Sequence, residues 1–296
     1  MNVGFIGLGI MGKPMGKNLL KAGYELSIYD INPEAVENVA SSGGKVKACD
    51  SIAEAVAKAS IVITMLPNSP QVEEVILGEG GVVHHAKPNT LVVDMSSIAP
   101  GVAKKVEAVL RNKGLRMIDA PVSGGEPKAI DGTLAIMVGG IQKDFDEAKP
   151  LFDVMGGSAI LVGGIGSGNI CKLTNQVIVA LNIAALAEGL FLAEKAGADT
   201  AKVFEAIKGG LAGSVVMNAK APMMLEGNFA PGFKIDLHIK DINNALDTAQ
   251  SCLMPLPLTA SVMQMMQTIK ADGYGSNDHS ALARFYEIIS KIKLYD

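Results

Sequence analysis

The chain has 296 residues and a formal net charge of -4, with 49% hydrophobic, 19% charged and 4% aromatic residues. Since a domain holds roughly 100–200 residues, this length predicts two domains with separate cores. The balanced charge, without a Lys/Arg cluster, argues against nucleic-acid binding driven by phosphate contacts. Mean hydropathy is +0.30, yet no run reaches the roughly 20 consecutive apolar residues of a membrane-spanning helix.

Cysteine and histidine usage gives no sign of a disulfide framework or a metal site. Cys49, Cys171 and Cys252 are an odd number without short spacing, which is typical of reduced thiols in the cytoplasm. The four histidines are scattered, and His238 and His279 are expected to be isolated. No cationic segment precedes an apolar stretch at the N-terminus, so we expect no signal peptide.

The first half of the chain alternates short apolar runs with amphipathic segments. Helices are predicted at Met11–Ala22 and from Pro33, a residue suited to a first helical turn. The predicted strands are Val3–Gly7, Glu25–Asp30, Ile61–Leu66, Thr90–Asp94, Leu115–Asp119, Leu134–Val138 and Ala159–Val162. This alternation predicts an α/β domain with a parallel sheet and helices on both faces.

The pattern changes near residue 162, after which only helices are predicted. A long, apolar and buried helix spans Asn169–Ala196 and ends at Gly197. The later helices are Thr200–Lys208, Val215–Met224, Ile235–Cys252, Leu258–Asp272 and Ser280–Ile292. We therefore predict an α/β domain at residues 1–162 and an all-α domain for substrate and oligomer contacts at residues 163–296.

A glycine-rich turn follows the first predicted strand and opens the first helix. It consists of Gly7, Leu8, Gly9, Ile10, Met11 and Gly12. Gly7 allows a tight turn, Gly9 lets the backbone approach a pyrophosphate, and Gly12 permits close helix–strand packing. A lone glycine pattern is a weak signal, but this strand–turn–helix context favours a dinucleotide-binding domain of the Rossmann type.

An acidic residue stands where a ribose-binding acid is expected. Asp30 ends the second predicted strand, 18 residues after Gly12. A carboxylate there accepts a hydrogen bond from a ribose 2′-hydroxyl and repels a 2′-phosphate, so NAD(H) is favoured over NADP(H). Ile31 occupies a place where an Arg could have bound that phosphate, which favours the same choice.

Two further segments carry polar groups suited to a small acid substrate. Ser123, followed by two glycines, indicates either a carboxylate-binding nest or an ordinary strand-to-loop turn. Lys172 and Gln176, with Asn175 beside them, form a polar stripe on the long apolar helix. A buried lysine with a depressed pKa would suit a proton donor, whereas a lysine near a helix start can also extend to solvent. Lys240, by its sequence context, indicates a solvated helix face.

Taken together, these segments resemble the β-hydroxyacid dehydrogenase family. The matching motifs are Gly4–Gly12, Asp119–Gly125 and Gly166–Lys172, followed by a second lysine motif from Phe233 to Asp241, which includes Lys240. The resemblance extends over essentially the whole chain. It implies a Rossmann-type domain followed by an all-α domain, and hydride transfer between a nicotinamide cofactor and a small hydroxy acid.

The resemblance also implies roles for individual residues. Lys172 corresponds to the catalytic general acid and base, and Asn175 and Gln176 are counted with it, although many relatives carry two asparagines here. Ser123, Gly124 and Gly125 correspond to the substrate-carboxylate loop, with Ser123 also counted as catalytic. The implied cofactor contacts include Leu66, Pro67, Ser97 and Lys240, and Lys240 is also placed near the substrate.

A narrower resemblance suggests the substrate. The stretches Met65–Pro70, Ser123–Thr133, Asn175–Asn182 and Gly209–Ser214 are typical of family members that reduce tartronate semialdehyde to D-glycerate with NADH. Sister activities on 3-hydroxyisobutyrate or 4-hydroxybutyrate use the same motifs, and a non-enzymatic dinucleotide-binding module is a third alternative. The apolar second half predicts a homo-oligomer, a dimer or tetramer.

Overall fold

The structure, a computed structural model, describes residues 2–295. The chain divides into two compact units, Met1–Lys172 and Leu173–Asp296, which we call the N-terminal and C-terminal units. This division lies ten residues after the predicted boundary at 162/163, which remains a prediction.

A nine-stranded sheet forms the centre of the described part of the N-terminal unit, in the order β3-β2-β1-β4-β5-β6-β8-β7 with β9 beside β8. The strands are β1 Asn2–Ile6, β2 Glu25–Tyr29, β3 Val46–Ala48, β4 Ile61–Thr64, β5 Leu91–Asp94, β6 Arg116–Asp119, β7 Val122–Ser123, β8 Leu134–Gly139 and β9 Gly156–Gly163. All predicted strands are present. The sequence did not predict β3 and β7, because three and two residues are too short for a recognisable period.

The predicted parallel sheet is confirmed for most of its strands. Six adjacent strands, in the order β3-β2-β1-β4-β5-β6, run parallel to one another. The strands β8 and β9 are also parallel to each other. The pairs β6–β8 and β7–β8 are antiparallel. The sheet is therefore mixed at this edge.

Helices cover both faces of the sheet, as predicted. They are α1 Gly12–Lys21, α2 Pro33–Ala40, α3 Ile52–Val56, α4 Ser69–Leu77, α5 Val82–His85, α6 Pro100–Asn112, α7 Gly125–Asp131 and α8 Gln142–Met155. Successive strand residues alternate between two cores: Ile61 and Ile63 belong to one, and Val62 belongs to the other. This double burial explains the continuous Val/Ile runs in the sequence.

The helix α9, Ser167–Lys195, begins in the N-terminal unit and continues into the C-terminal unit. Among the described residues it is the one helix long and apolar enough to cross a membrane by length and composition, and 44% of its most apolar window is buried. Core helices meet the same criterion, so the finding is weak evidence for a membrane span. Burial is less complete than predicted, since Ile178 and Leu192 are exposed.

The described part of the C-terminal unit is helical apart from one isolated bridge between Lys234 and Asp278. Its helices after α9 are α10 Thr200–Ile207, α11 Val215–Leu225, α12 Ile235–Ser251, α13 Pro257–Ile269 and α14 Ala283–Ser290. The helix predicted to reach Asp272 is shorter, because a wider turn with Gly273 at φ +90° follows α13. A 3₁₀ turn capped by the Asp278 side chain precedes α14.

Candidate active site

The glycine-rich turn has the conformation that its sequence predicted. Gly7 has φ +97°, and a Cβ there would lie 2.3 Å from the carbonyl oxygen of Met65. A Cβ at Gly12 would lie 1.9 Å from the carbonyl oxygen of Gly7, so both positions require glycine for the protein's own packing. A Cβ at Gly9 would meet no atom within 4 Å. Gly9 therefore serves no packing need of the protein and suits a backbone approached by a phosphate.

Asp30 follows β2 and is joined to this turn. Its Oδ2 accepts a hydrogen bond of 2.5 Å from the Leu8 N–H, and its Oδ1 accepts one of 2.8 Å from the Asn32 N–H. A carboxylate has about four acceptor sites, so a ribose hydroxyl can still bind. The Leu8 side chain is fully buried in the core, which leaves only its backbone for a cofactor. Ile31 is 90% exposed beside this acid.

The predicted cofactor contacts after β4 and β5 lie on two segments that are hydrogen-bonded to each other. Leu66 and Pro67 follow β4, and the Leu66 N–H donates to Ser96 Oγ at 2.9 Å. Ser96 precedes Ser97 in the segment after β5. The structure thus links the segment of Leu66 to that of Ser97.

The neighbouring strands β5 and β6 each end in a buried aspartate. The sequence motifs had assigned neither residue a role. Asp94 and Asp119 are register partners, and both are fully buried. Burial raises the pKa of Asp94 to about 6, although hydrogen bonds from Ser96 and Thr64 lower this pKa in part. Burial also raises the pKa of Asp119, although hydrogen bonds from Asn169 and Gly166 lower this pKa in part. An acid directly after an apolar strand, as in VVD and MID, was the available sequence signal.

The Ser123 segment forms the short strand β7 and then turns sharply. Gly124 has φ +139° and Gly125 has φ +70°, both in the region that favours glycine. A Cβ at Gly124 would also lie 2.7 Å from Lys128 Cδ. These glycines let the chain turn at once from Ser123 into α7.

Lys172 lies in the first turns of α9 and is 7% exposed. The structure thus contradicts the alternative in which this lysine extends to solvent. It belongs to the N-terminal unit, together with the glycine turn, Asp30 and Ser123. Gln176, one turn later on the same helix, belongs to the C-terminal unit and is also buried.

In the C-terminal unit, four polar side chains form a hydrogen-bonded and ionic chain. Asn175 Nδ2 donates to Gln176 Oε1 at 2.8 Å, and Gln176 Nε2 donates to Asp241 Oδ2 at 2.7 Å. Lys240 Nζ lies 2.9 Å from Asp241 Oδ1. The interpretation of Lys240 as a solvated helix face is wrong, because its side chain is only 20% exposed.

Two histidines that were expected to be isolated are hydrogen-bonded in the same unit. His238 and His279 are buried, with their Nδ1 atoms 2.9 Å apart. His238 Nε2 lies 3.2 Å from the backbone carbonyl oxygen of Gln176. Because a carbonyl only accepts, we assign the proton to His238 Nε2, and His279 Nδ1 then donates to His238 Nδ1. Nothing in the local sequence indicated this contact across 41 residues.

Comparison with known proteins gives full-length matches. Residues 2–164 match the family described as the NAD binding domain of 6-phosphogluconate dehydrogenase. Residues 166–286 match the family described as NAD-binding of NADP-dependent 3-hydroxyisobutyrate dehydrogenase. The chain is 44% identical to the 2-hydroxy-3-oxopropionate reductase of Escherichia coli (strain K12), with 99% of this chain and 100% of that protein covered. It belongs to the β-hydroxyacid dehydrogenase family.

Other family members support the same assignment. The mitochondrial 3-hydroxyisobutyrate dehydrogenase of Mus musculus is 35% identical, over 96% of this chain and 86% of that protein. The solved structure of Mycobacterium tuberculosis 3-hydroxyisobutyrate dehydrogenase with L-serine superposes with a TM-score of 0.88. It is 33% identical and covers 96% of this chain and 98% of its own. This β-hydroxyacid dehydrogenase is therefore an NAD(P)-dependent oxidoreductase with a mostly parallel Rossmann-type domain and a helical C-terminal domain.

The residues present fit a nicotinamide dinucleotide. Gly9 offers backbone without a side chain, the first turn of α1 supplies N–H groups, and Asp30 offers a ribose acceptor. The individual contacts of Leu66, Pro67, Ser97, Lys240 and the glycine turn remain predictions from the family resemblance.

Proposed function

We propose that this β-hydroxyacid dehydrogenase reduces tartronate semialdehyde to D-glycerate with NADH, and that Lys172 is its general acid. The observation that carries the proposal is a buried lysine in the first turns of α9, in a chain with a dinucleotide turn. The 44% identity to a reductase named for this substrate supports the choice among related reactions.

The preference for NADH rests on the residues after β2. The carboxylate of Asp30 is held at the glycine turn by the Leu8 N–H, where it would repel a 2′-phosphate. The exposed Ile31 provides no positive charge to bind that phosphate. When bound, NADH supplies the hydride.

The substrate's two polar ends require two different groups of this chain. In the proposed mechanism, the Ser123 hydroxyl and the backbone N–H groups of Gly124 and Gly125 bind the carboxylate. Lys172 donates a proton to the aldehyde oxygen of the substrate, which becomes the oxygen of the new hydroxyl group. In the reverse direction, neutral Lys172 removes that proton.

We also propose that the enzyme is a homo-oligomer and that α9 contributes to the interface. Ile178 is 55% exposed and Leu192 is 72% exposed, and the exposed Ala185 and Gly189 lie on the same side of the helix. Small and apolar residues at this spacing form a stripe suited to another helix. A second copy of the chain would cover it.

The substrate is tested by a steady-state assay of NADH oxidation with three aldehydes in parallel: tartronate, succinate and methylmalonate semialdehyde. We expect kcat/KM to be highest for tartronate semialdehyde. A higher value for either other aldehyde would assign one of the sister activities instead. NADH binding without turnover of any aldehyde would favour a non-enzymatic binding module.

A further inference from the structure

The carboxylate of Asp119 caps the start of α9 from a neighbouring strand. It ends β6, and its Oδ1 accepts from the Gly166 N–H while its Oδ2 accepts from the Asn169 N–H, both at 2.7 Å. N–H groups in the first turn of a helix lack partners within the helix. A negative charge is also favoured there by the helix dipole. Asp119 therefore fixes the N-terminus of this helix although it lies 47 residues before Gly166 in the chain.

Asn169 extends this contact to a second segment. Its Nδ2 lies 3.3 Å from Asp119 Oδ2, and its Oδ1 accepts from the Ile98 N–H at 2.9 Å. Asn169 is fully buried, as is Asp119. We call these two side chains the Asp119–Asn169 clamp. It joins the start of α9 to the segment that carries Ser97.

Two glycines show that the backbones around the clamp are in direct contact. A Cβ at Gly168 would lie 2.4 Å from the Met137 carbonyl oxygen and 2.9 Å from Asp119 Oδ2. A Cβ at Gly139, at the end of β8, would lie 2.4 Å from Asp119 Oδ1 and 2.7 Å from the Gly168 nitrogen. Gly168 thus has a structural role in the Gly-x-Gly motif before Lys172. The helix start has little freedom to move against the sheet.

Lys172 follows directly from this fixed turn. It lies three residues after Asn169, about 4.5 Å further along the helix axis. In a helix, the Cα–Cβ bond tilts toward the N-terminus, which here is toward the clamp. Any displacement of the first turn is therefore transmitted to the Lys172 side chain.

We propose that Asp119 is a positioning residue. Together with Asn169, it sets the position of the Lys172 ammonium group relative to Ser97, which is a predicted cofactor contact. This inference rests on the proposed function, in which Lys172 is the general acid. A misplacement of about 1 Å between reacting groups can lower a rate by about 100-fold.

The test compares Asp119→Asn and Asn169→Ala with Asp144→Asn. Asp144 is also a buried carboxylate of the N-terminal unit, but its hydrogen bond and ion pair with Arg116 involve no residue of α9. We expect Asp119→Asn to lower kcat by about 10- to 100-fold while the KM and Kd for NADH change less than threefold. Asn169→Ala should act in the same direction, and Asp144→Asn should keep kcat within twofold at a similar loss of Tm.

A kcat of Asp119→Asn within twofold of the wild type would overturn the proposal. So would an equal loss of kcat in Asp144→Asn at the same Tm, because that result indicates general destabilisation. Amide hydrogen exchange over residues 167–172 gives a readout without turnover. If the wild type reduces none of the aldehydes, the proposed function fails. Asp119→Asn must still accelerate exchange in this turn more than Asp144→Asn does, and equal exchange rates would exclude the clamp.

Discussion

Asp30 Oδ2 accepts a hydrogen bond of 2.5 Å from the backbone N–H of Leu8. This bond connects the acid proposed to bind ribose with the turn proposed to bind pyrophosphate. The two functions assigned separately from the sequence are therefore structurally coupled. A substitution at Asp30 should alter both the selectivity for the cofactor and the order of the turn.

Substitution of Asp30 should weaken the preference for NADH. We expect Asp30→Ala to lower the ratio of kcat/KM for NADH to that for NADPH by at least tenfold, because the repulsion of a 2′-phosphate is lost. Ile31→Arg is the matched variant, since it adds a positive charge but leaves the Asp30–Leu8 bond in place. It should raise kcat/KM for NADPH with little loss for NADH. An unchanged ratio in Asp30→Ala would refute the ribose assignment.

The amide of Gln176 should be more important than that of Asn175. Gln176 accepts from Asn175 and donates to the buried Asp241, so Gln176→Ala removes a donor from a carboxylate that is 2% exposed. Loss of a donor to a buried group costs about 1–3 kcal/mol. We expect a lower Tm and kcat for Gln176→Ala than for Asn175→Ala. The reverse order would mean that Asn175 makes the decisive contact.

The contribution of Asp94 to the free energy of unfolding should decrease as the pH rises. Burial raises the pKa of its carboxyl to about 6, so the folded chain binds more protons than the unfolded chain between about pH 4 and 6. This contribution, about 3 kcal/mol, is fully present below the unfolded pKa of about 3.8 and is lost as the pH rises through the folded pKa of about 6. At pH 7.5, Asp94→Asn should therefore have a higher urea midpoint than the wild type. At pH 4.5 this gain over the wild type should be smaller.

Asp278 offers a control of opposite sign. Burial alone would raise its pKa, but the nearby His279 and Lys220 outweigh burial and hold the pKa well below its usual range. Its contribution is present at neutral pH and is lost on strong acidification. Asp278→Asn should lower the urea midpoint at pH 7.5. If both variants shifted the midpoint in the same direction, the assignment for Asp94 would be wrong.

The exposed stripe of α9 should mediate self-association. We expect the wild type to sediment as a dimer or tetramer at micromolar concentration, and Leu192→Lys to shift it toward the monomer, because a charge cannot be buried there without a partner. Lys202→Ala, which alters an exposed ion pair on α10, is a suitable control. A stable wild-type monomer at that concentration would exclude the proposed interface.

Local patterns predicted the parts of the molecule that depend on neighbours in sequence. The Gly7–Gly12 turn and the Pro33 helix start follow from backbone preferences, and the buried strands follow from continuous apolar runs. The contacts that escaped prediction join distant segments, such as Gln176 with Asp241 across 65 residues. A single sequence holds no periodic signal for such pairs, because they are set by packing of whole helices.

The role of Asp119 illustrates the same limit. Its place in the Asp119–Gly125 motif was visible, but its partners at Gly166 and Asn169 depend on how α9 docks onto the sheet. The Gly-x-Gly before Lys172 could be recognised as a motif, whereas its steric cause becomes evident only from the distances around Gly168.

The most direct measurement is the turnover of Lys172→Ala with NADH and tartronate semialdehyde, alongside its Kd for NADH. Because a positioned general acid contributes about 10²- to 10⁴-fold, we expect kcat to fall by that factor while NADH still binds and the Tm stays close to the wild type. A folded Lys172→Ala enzyme that keeps most of its kcat would contradict the assignment of Lys172 as the proton donor.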